Sequence, residues 1–258
     1  MSAVPSKPEP LVLTADRVTA VVSPRDGGRL ASLVVGGREL LVTDGGGDPM
    51  QWGAFPMAPY AGRIRRGVLR SGGREHRLPV NLGPHAIHGT VFDRPWIVDA
   101  DGALSCPLGP RWPFGGFARQ RFSLRAEALT CTLEVHAEDE PFPATAGFHP
   151  WFARPVELRV RPAAMYRRDE DGIPTGELVP PPAPPWDDCF VGLDTAPELA
   201  FDGGPTVTVE SDADHWVIFT PDHAVCVEPQ TGPPDGPNLA PELVRPAEPL
   251  SITMTIRW

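Results

Sequence analysis

Apolar and polar residues alternate with a period of two in several runs of this chain. In Leu129 to Val135, the residues Leu129, Cys131, Leu133 and Val135 fall on one side and Thr130, Thr132 and Glu134 on the other. Successive side chains of an extended strand point to opposite faces, so this pattern predicts a half-buried strand. Phe122 to Ala126, set off by Glu127-Ala128, is its expected hairpin partner. Ser251 to Trp258 repeats the pattern, with Ile252, Met254 and Ile256 inward and Thr253, Thr255 and Arg257 outward. Val207 to Val209 and Trp216 to Phe219 are further strand candidates. Near the N-terminus, Val18 to Val22 meets the turn cluster Ser23-Pro24-Arg25-Asp26-Gly27-Gly28. Leu30 to Val35, Gly36-Gly37 and Glu39 to Val42 follow, a succession of hairpin signals. No stretch of about ten residues carries a 3.6-residue period. The fold class is therefore expected to be all-β, a large and mostly antiparallel sandwich.

Composition sharpens that picture. The 258 residues include 34 prolines and 26 glycines, nearly a quarter of the chain. Proline is excluded from helix interiors and from central strand positions that must donate an N–H. Such a composition favours short strands and many turns, and the Trp, Phe, Val, Ile and Leu spread along the chain argue against disorder. Residues 1–9 read as a loose tail and 10–258 as a single domain. The Pro-rich stretch 178–186 reads as a rigid surface crossover, because strand-like patterning continues on both sides.

The net charge of −10 repels nucleic acid and anionic membrane surfaces, so neither is an expected partner. Cys106, Cys131, Cys189 and Cys226 are widely spaced, with no C-x-x-C pair, and read as buried small hydrophobes. No apolar run approaches the length of a membrane span, and the N-terminus lacks an apolar signal core. A cytoplasmic location is expected; the oligomeric state is left open.

Four segments place titratable residues among rigid neighbours. Pro59 to Gly67 brings three arginines into an acidic chain, and an alternating register would turn Arg63 and Arg65 to one face and Arg66 to the other. Guanidinium forks hold sugar hydroxyls or phosphate; a charged edge strand is the plain alternative. In Asn81 to Thr90, His85 and His88 lie three residues apart, and Gly89 suggests a turn that presents His88 into a loop. In Phe142 to Phe152, His149 sits among aromatics, and Pro150 restrains it to extended backbone. A core histidine in an aromatic cluster is the plain reading there. In Val225 to Asn238, Glu228 ends an apolar run, where partial desolvation would raise its pKa toward that of a useful base.

In this order, the segments resemble the aldose 1-epimerase (galactose mutarotase) family. The matching pieces are Gly62-Arg63-Ile64, His88-Gly89 with Trp96 downstream, Gly147-Phe148-His149-Pro150-Trp151-Phe152, Asp187-Asp188-Cys189-Phe190 and Glu228-Pro229-Gln230-Thr231-Gly232-Pro233-Pro234-Asp235. The resemblance implies a galactose mutarotase-like supersandwich with an open sugar cleft. It implies Glu228 as general base, His149 as general acid, His88 as a second histidine at the reacting end, and Arg63 and Asp187 as hydroxyl-binding residues. Asp188 is the alternative to Asp187 by a shift of one. Gly62 stands where the family commonly has Asn, and the chain is shorter than typical galactose mutarotases.

The implied reaction interconverts the α and β anomers of an aldohexose, with no metal or cofactor. A base removes the C1 hydroxyl proton, an acid protonates the ring oxygen, the C1–O5 bond opens and the ring recloses on the other face. Both pKa values should then sit near the working pH, with nearby carboxylates keeping the histidine protonated. Three rivals stand beside this reading. One is a hexose 6-phosphate mutarotase using Arg65, Arg66 and Arg94. The second is a non-catalytic sugar-binding protein on the same fold. The third is a metal enzyme built on His85, His88, His149 and Glu228.

Overall fold

Hairpins join into two large sheets that share one hydrophobic core. The computed structural model describes residues 9–258, so most of the tail expected over 1–9 lies outside the described residues. The larger sheet has eleven strands. Its main path runs through Leu11–Ala15, Val18–Ser23, Arg29–Val35, Ala54–Met57, Gly147–Ala153, Ala224–Gln230, His215–Phe219, Asp187–Leu193, Pro162–Arg168 and Pro174–Val179. The eight-stranded sheet is built around Gly116–Leu124, Ala128–Ala137, Leu250–Arg257 and Thr206–Ser211. The ladders of both are antiparallel. The all-β, mostly antiparallel class expected from the pattern is the observed one. Among the described residues the only α-helix is the four-residue turn Gly236–Leu239.

The period-two runs lie where alternation puts them. Leu129, Cys131, Leu133 and Val135 are buried and pair with Ile256, Met254, Ile252 and Leu250. The strand Gly116–Leu124 pairs with Ala128–Ala137 from Leu124↔Leu129 to Gly116↔Ala137, so the partner reaches further upstream than its apolar run. The turn cluster at Ser23–Gly28 closes as a 3-10 turn between Val18–Ser23 and Arg29–Val35. The crossover at 178–186 joins Pro174–Val179 to Asp187–Leu193, and both of these strands pair with Pro162–Arg168.

The centre of the larger sheet is buried on both faces, which is why its strands read as continuous apolar runs. Phe148, Phe152, Val225, Val227, Ile218 and Phe190 face the core shared with the second sheet. Their neighbours in sequence, Trp151, Ala224 and Cys226, join Phe55, Met57, Ala61 and Phe92 in a smaller cluster on the opposite face. The segments after Met57 supply the cover. Gly89 lets them close, because a Cβ there would lie 1.9 Å from the Ala58 carbonyl oxygen, at a φ of +81°.

The arginine segment departs from its expected register. Its strand spans only Arg63–Ile64, paired with Ala86–Ile87. A turn over Arg65–Gly67, with Arg66 at a φ of 51°, then breaks the alternation. Arg65 therefore does not share a face with Arg63 by strand register.

Candidate active site

Cross-strand registry builds the site on the outer face of the larger sheet. In the ladder, His149 pairs with Phe55, Trp151 with Cys226, Cys226 with Phe219, and Phe219 with Asp187. Residues directly opposite in a ladder project to the same face. Glu228, two residues beyond Cys226, joins them, and His149 Nε2 lies 3.3 Å from Glu228 Oε1. A cavity of about 300 Å³ opens over this row. It is lined by Glu228, His149, His88, Arg63 and Asp187, so all five residues singled out in the sequence converge.

The same registry separates Asp187 from Asp188. Asp187 is on the cavity face with its side chain 41% exposed, whereas Asp188 is turned inward at 8%. Arg168 clamps both, with Nη1 3.4 Å from Asp187 Oδ2 and Nε 2.9 Å from Asp188 Oδ1. Arg63 Nη2 stands 3.5 Å from the same Asp187 oxygen.

The backbone around Arg63 is tied from two directions. Its carbonyl accepts from the Asp235 N–H at 2.6 Å, and Asp235 Oδ1 accepts from the Arg65 N–H at 3.1 Å. The Pro-Asp end of the Glu228 segment thus anchors the arginine segment. The His88 N–H donates to the Gly62 carbonyl at 2.9 Å, and His88 itself has a φ of 61°. Gly62 also lies at positive φ, where glycine is unstrained, and a Cβ there would come within 2.9 Å of the Pro234 ring.

Rings wall the His149–Glu228 pair. Phe55 stacks on His149 with centroids 4.7 Å apart, Trp151 on its other side at 5.1 Å, and His223 on Trp151 at 5.4 Å. His88 meets His149 edge-on at 5.0 Å. Behind Phe55 lies the fully buried guanidinium of Arg29, held by the carbonyls of Asp26, Trp52 and Phe92. Burial lowers its pKa to about 10.

Electrostatics follow from this dryness. Burial, followed by the Asp187 charge, raises the Glu228 pKa well above its ordinary value; Arg63 and a 3.3 Å hydrogen bond from Gln230 Nε2 oppose the rise. Burial pushes His149 down to about 3, with the Arg29 charge adding to the fall. His88 is also driven well below its usual range, by burial first and then by His149 and Arg63. Nearby carboxylates were expected to keep the histidine protonated, but burial lowers its pKa instead. Desolvation between Phe55 and Trp151 outweighs the Glu228 contact. Glu228 is also more enclosed than a strand-end residue: it lies within Ala224–Gln230 at 2% exposure.

His88 Nδ1, His149 Nδ1, Trp151 Nε1 and Gln230 Oε1 are buried without a hydrogen-bond partner among the described residues. Native structures leave few such groups unpaired, and four on residues lining one cavity mark a place built for a polar ligand.

Several residues of the rival readings are engaged elsewhere. Arg65 pairs with Asp169 and Asp171, at 2.5 and 3.0 Å. Arg66 pairs with Asp171 at 3.3 Å, and Arg94 donates to the Pro107 carbonyl at 2.7 Å. None of the three lines the cavity. His85 bridges the Arg66 N–H and the Asp171 carbonyl at 3.1 and 3.0 Å, outside the cavity. The group of metal-ligand types that does converge among the described residues is His149, Cys226 and Glu228.

The lining also includes residues the sequence did not single out for a role. Trp151 and Gln230 lay within the recognised motifs. Asp48, Met50, Gln51, Phe219 and His223 come from loops and a strand end with no local signal of chemistry.

The chain is thus an antiparallel sandwich with a buried carboxyl–imidazole pair beneath a small cavity. The family model for aldose 1-epimerase matches residues 10–245, and the chain belongs to that family. A galactose mutarotase-like protein from Clostridium acetobutylicum superposes with a TM-score of 0.83 at 18% identity, covering 95% of this chain and 93% of that one. Galactose 1-epimerase from Lactobacillus acidophilus NCFM gives 0.80 at 18%, covering 96% and 93%. In sequence, the uncharacterized protein YphB of Escherichia coli K12 is 29% identical over 116 residues, 43% of this chain. That match spans 40% of YphB. No helix among the described residues is long and apolar enough to cross a membrane.

Proposed function

We propose that this protein is an aldose 1-epimerase that interconverts the α and β anomers of a neutral aldohexose by acid–base ring opening and reclosure. The observation that carries the reading is the His149–Glu228 contact of 3.3 Å, buried beneath a cavity of about 300 Å³. That volume is at the lower end for small-molecule sites and suits a monosaccharide.

Glu228 takes the proton of the C1 hydroxyl while His149 delivers one to the ring oxygen. The C1–O5 bond breaks, the open aldehyde turns about C1–C2, and the reverse transfers close the ring on the other face. Opening runs from the carboxylate–imidazolium form of the pair, the less populated one in this dry site, to carboxylic acid and neutral imidazole. Burial favours the second, uncharged state for both groups. A raised carboxyl pKa makes Glu228 the stronger base, and a lowered imidazole pKa makes protonated His149 the stronger acid. Arg63 and Asp187 hold sugar hydroxyls, and His88 supports the reacting end.

The charge of the cavity favours a neutral sugar over its phosphate. Asp48 and Asp187 line it, with Arg63 as the one arginine or lysine in the lining. Polarimetry of freshly dissolved α-D-glucose and α-D-galactose, alone and with protein, tests the proposal. Acceleration that disappears in folded His149→Ala is the expected result. Sugar binding without acceleration would point to a non-catalytic binder, and a preference for glucose 6-phosphate to the phosphorylated class.

A further inference from the structure

We propose that His149, Cys226 and Glu228 form a binding site for Zn²⁺ or another borderline-soft divalent cation, and that the cation inhibits the enzyme by occupying its acid–base pair. The three offer an imidazole nitrogen, a sulfur and a carboxylate oxygen, all within 4.8 Å of one another and all buried. This mixed donor set suits Zn²⁺, Co²⁺ or Cd²⁺ and not Mg²⁺ or Ca²⁺, which demand oxygen ligands. Tetrahedral zinc bonds of about 2.0–2.3 Å set donors about 3.3–3.8 Å apart. The His149–Glu228 pair is already at 3.3 Å, and the Cys226 sulfur lies within 4.8 Å of the ligand atoms of both. A fourth position would open to the cavity and take water.

The strand pattern explains the convergence. Cys226 and Glu228 are two residues apart on one face of Ala224–Gln230, and Cys226 is paired across the ladder with Trp151, two residues after His149. Nothing in the proposed epimerisation uses Cys226, and it does not line the cavity. Binding displaces the thiol proton, with no change of oxidation state. A bound cation takes the lone pair of His149 and the carboxylate of Glu228, leaving neither free for proton transfer.

Inhibition rests on the proposed function; cation binding does not, so the two are measured separately. Co²⁺ is titrated into chelator-treated full-length protein and a thiolate-to-cobalt charge-transfer band is followed. The expected result is a band in wild type that is absent from Cys226→Ala and from His149→Ala. Zn²⁺ should then slow sugar mutarotation by wild type, while Cys226→Ala keeps the uninhibited rate and needs at least about tenfold more Zn²⁺. Cys226→Ser, nearly isosteric, replaces the alanine variant should that one not fold. No band in wild type, a band that persists without Cys226, or equal Zn²⁺ sensitivity with and without Cys226 would overturn the proposal. Absence of mutarotation together with a Cys226-dependent band would overturn the proposed activity and leave the cation site standing.

Discussion

The Phe55 ring lies stacked on the His149 imidazole, with centroids 4.7 Å apart and planes 28° from parallel. The Arg29 guanidinium is 5.4 Å beyond Phe55. An imidazole held between Phe55 and Trp151, with a fixed cation behind it, has little solvent to support a charge. Its protonation in the folded protein is displaced to about pH 3 from an ordinary 6.5.

That displacement makes stability depend on acid. Between the two values the unfolded chain binds the proton and the folded one does not, so the His149 contribution is present above the ordinary value and lost as pH falls toward the folded one. Thermal denaturation should show wild type losing stability from about pH 7 to about pH 4, and His149→Gln losing less over the same range. Parallel curves for the two proteins would contradict this placement of the charge.

Glu228 has the opposite sign. Its folded pKa is raised, so its contribution is present below the ordinary carboxylate value and is lost as pH rises through the folded value. Glu228→Gln should therefore be more stable than wild type near neutrality, by about 1 kcal/mol, with the gap closing as the solution is acidified. On the proposed function its anomerisation rate should fall by about 10²–10⁴. Folded Glu228→Gln protein with near-native rate would sink the assignment of the base.

Arg168 holds Asp187 and Asp188 together from outside the cavity lining. Arg168→Met should leave the inward Asp188 carboxylate without its cation. The expected cost is about 1–3 kcal/mol, discounted because the Arg168 side chain is 33% exposed. With Asp187 freed from its clamp, KM for the sugar should rise several-fold while kcat changes little. A fall in kcat at constant KM would contradict a role confined to binding.

Gly89→Ala tests how the cover is closed. Its Cβ would overlap the Ala58 carbonyl at a backbone angle alanine resists, so a loss of about 3 kcal/mol or more is expected. The neighbouring His88 would shift with it. Denaturant unfolding of the variant measures the first effect, and sugar affinity of the folded fraction the second.

Much of the architecture was legible because strands buried on one face announce themselves. Leu129 to Val135 and Ser251 to Trp258 alternate because one side meets the core and the other meets water, and the ladder pairs these two segments. The central strands carry no such signal. Gly147–Ala153 and Ala224–Gln230 are covered on both faces, so their apolar runs conceal which residues point to the site. The five site residues were legible through motif resemblance and not through periodicity. The arginine segment misled by periodicity, since the turn at Arg66 resets the register that alternation would have carried onward.

By itself, the sequence determined the all-β class, the hairpin order and the residues around which a site forms, because these rest on local alternation, turn chemistry and short motifs. Only the tertiary structure decided that Asp187 and not Asp188 faces the cavity and that Arg65 and Arg66 are bound to aspartates outside it. It also decided that burial lowers the His149 pKa, and that Cys226 stands beside His149 and Glu228. Each of these depends on which strands become neighbours and in what register. That is set by burial and pairing between segments far apart in the chain, and desolvation of a side chain exists only once those segments have closed around it.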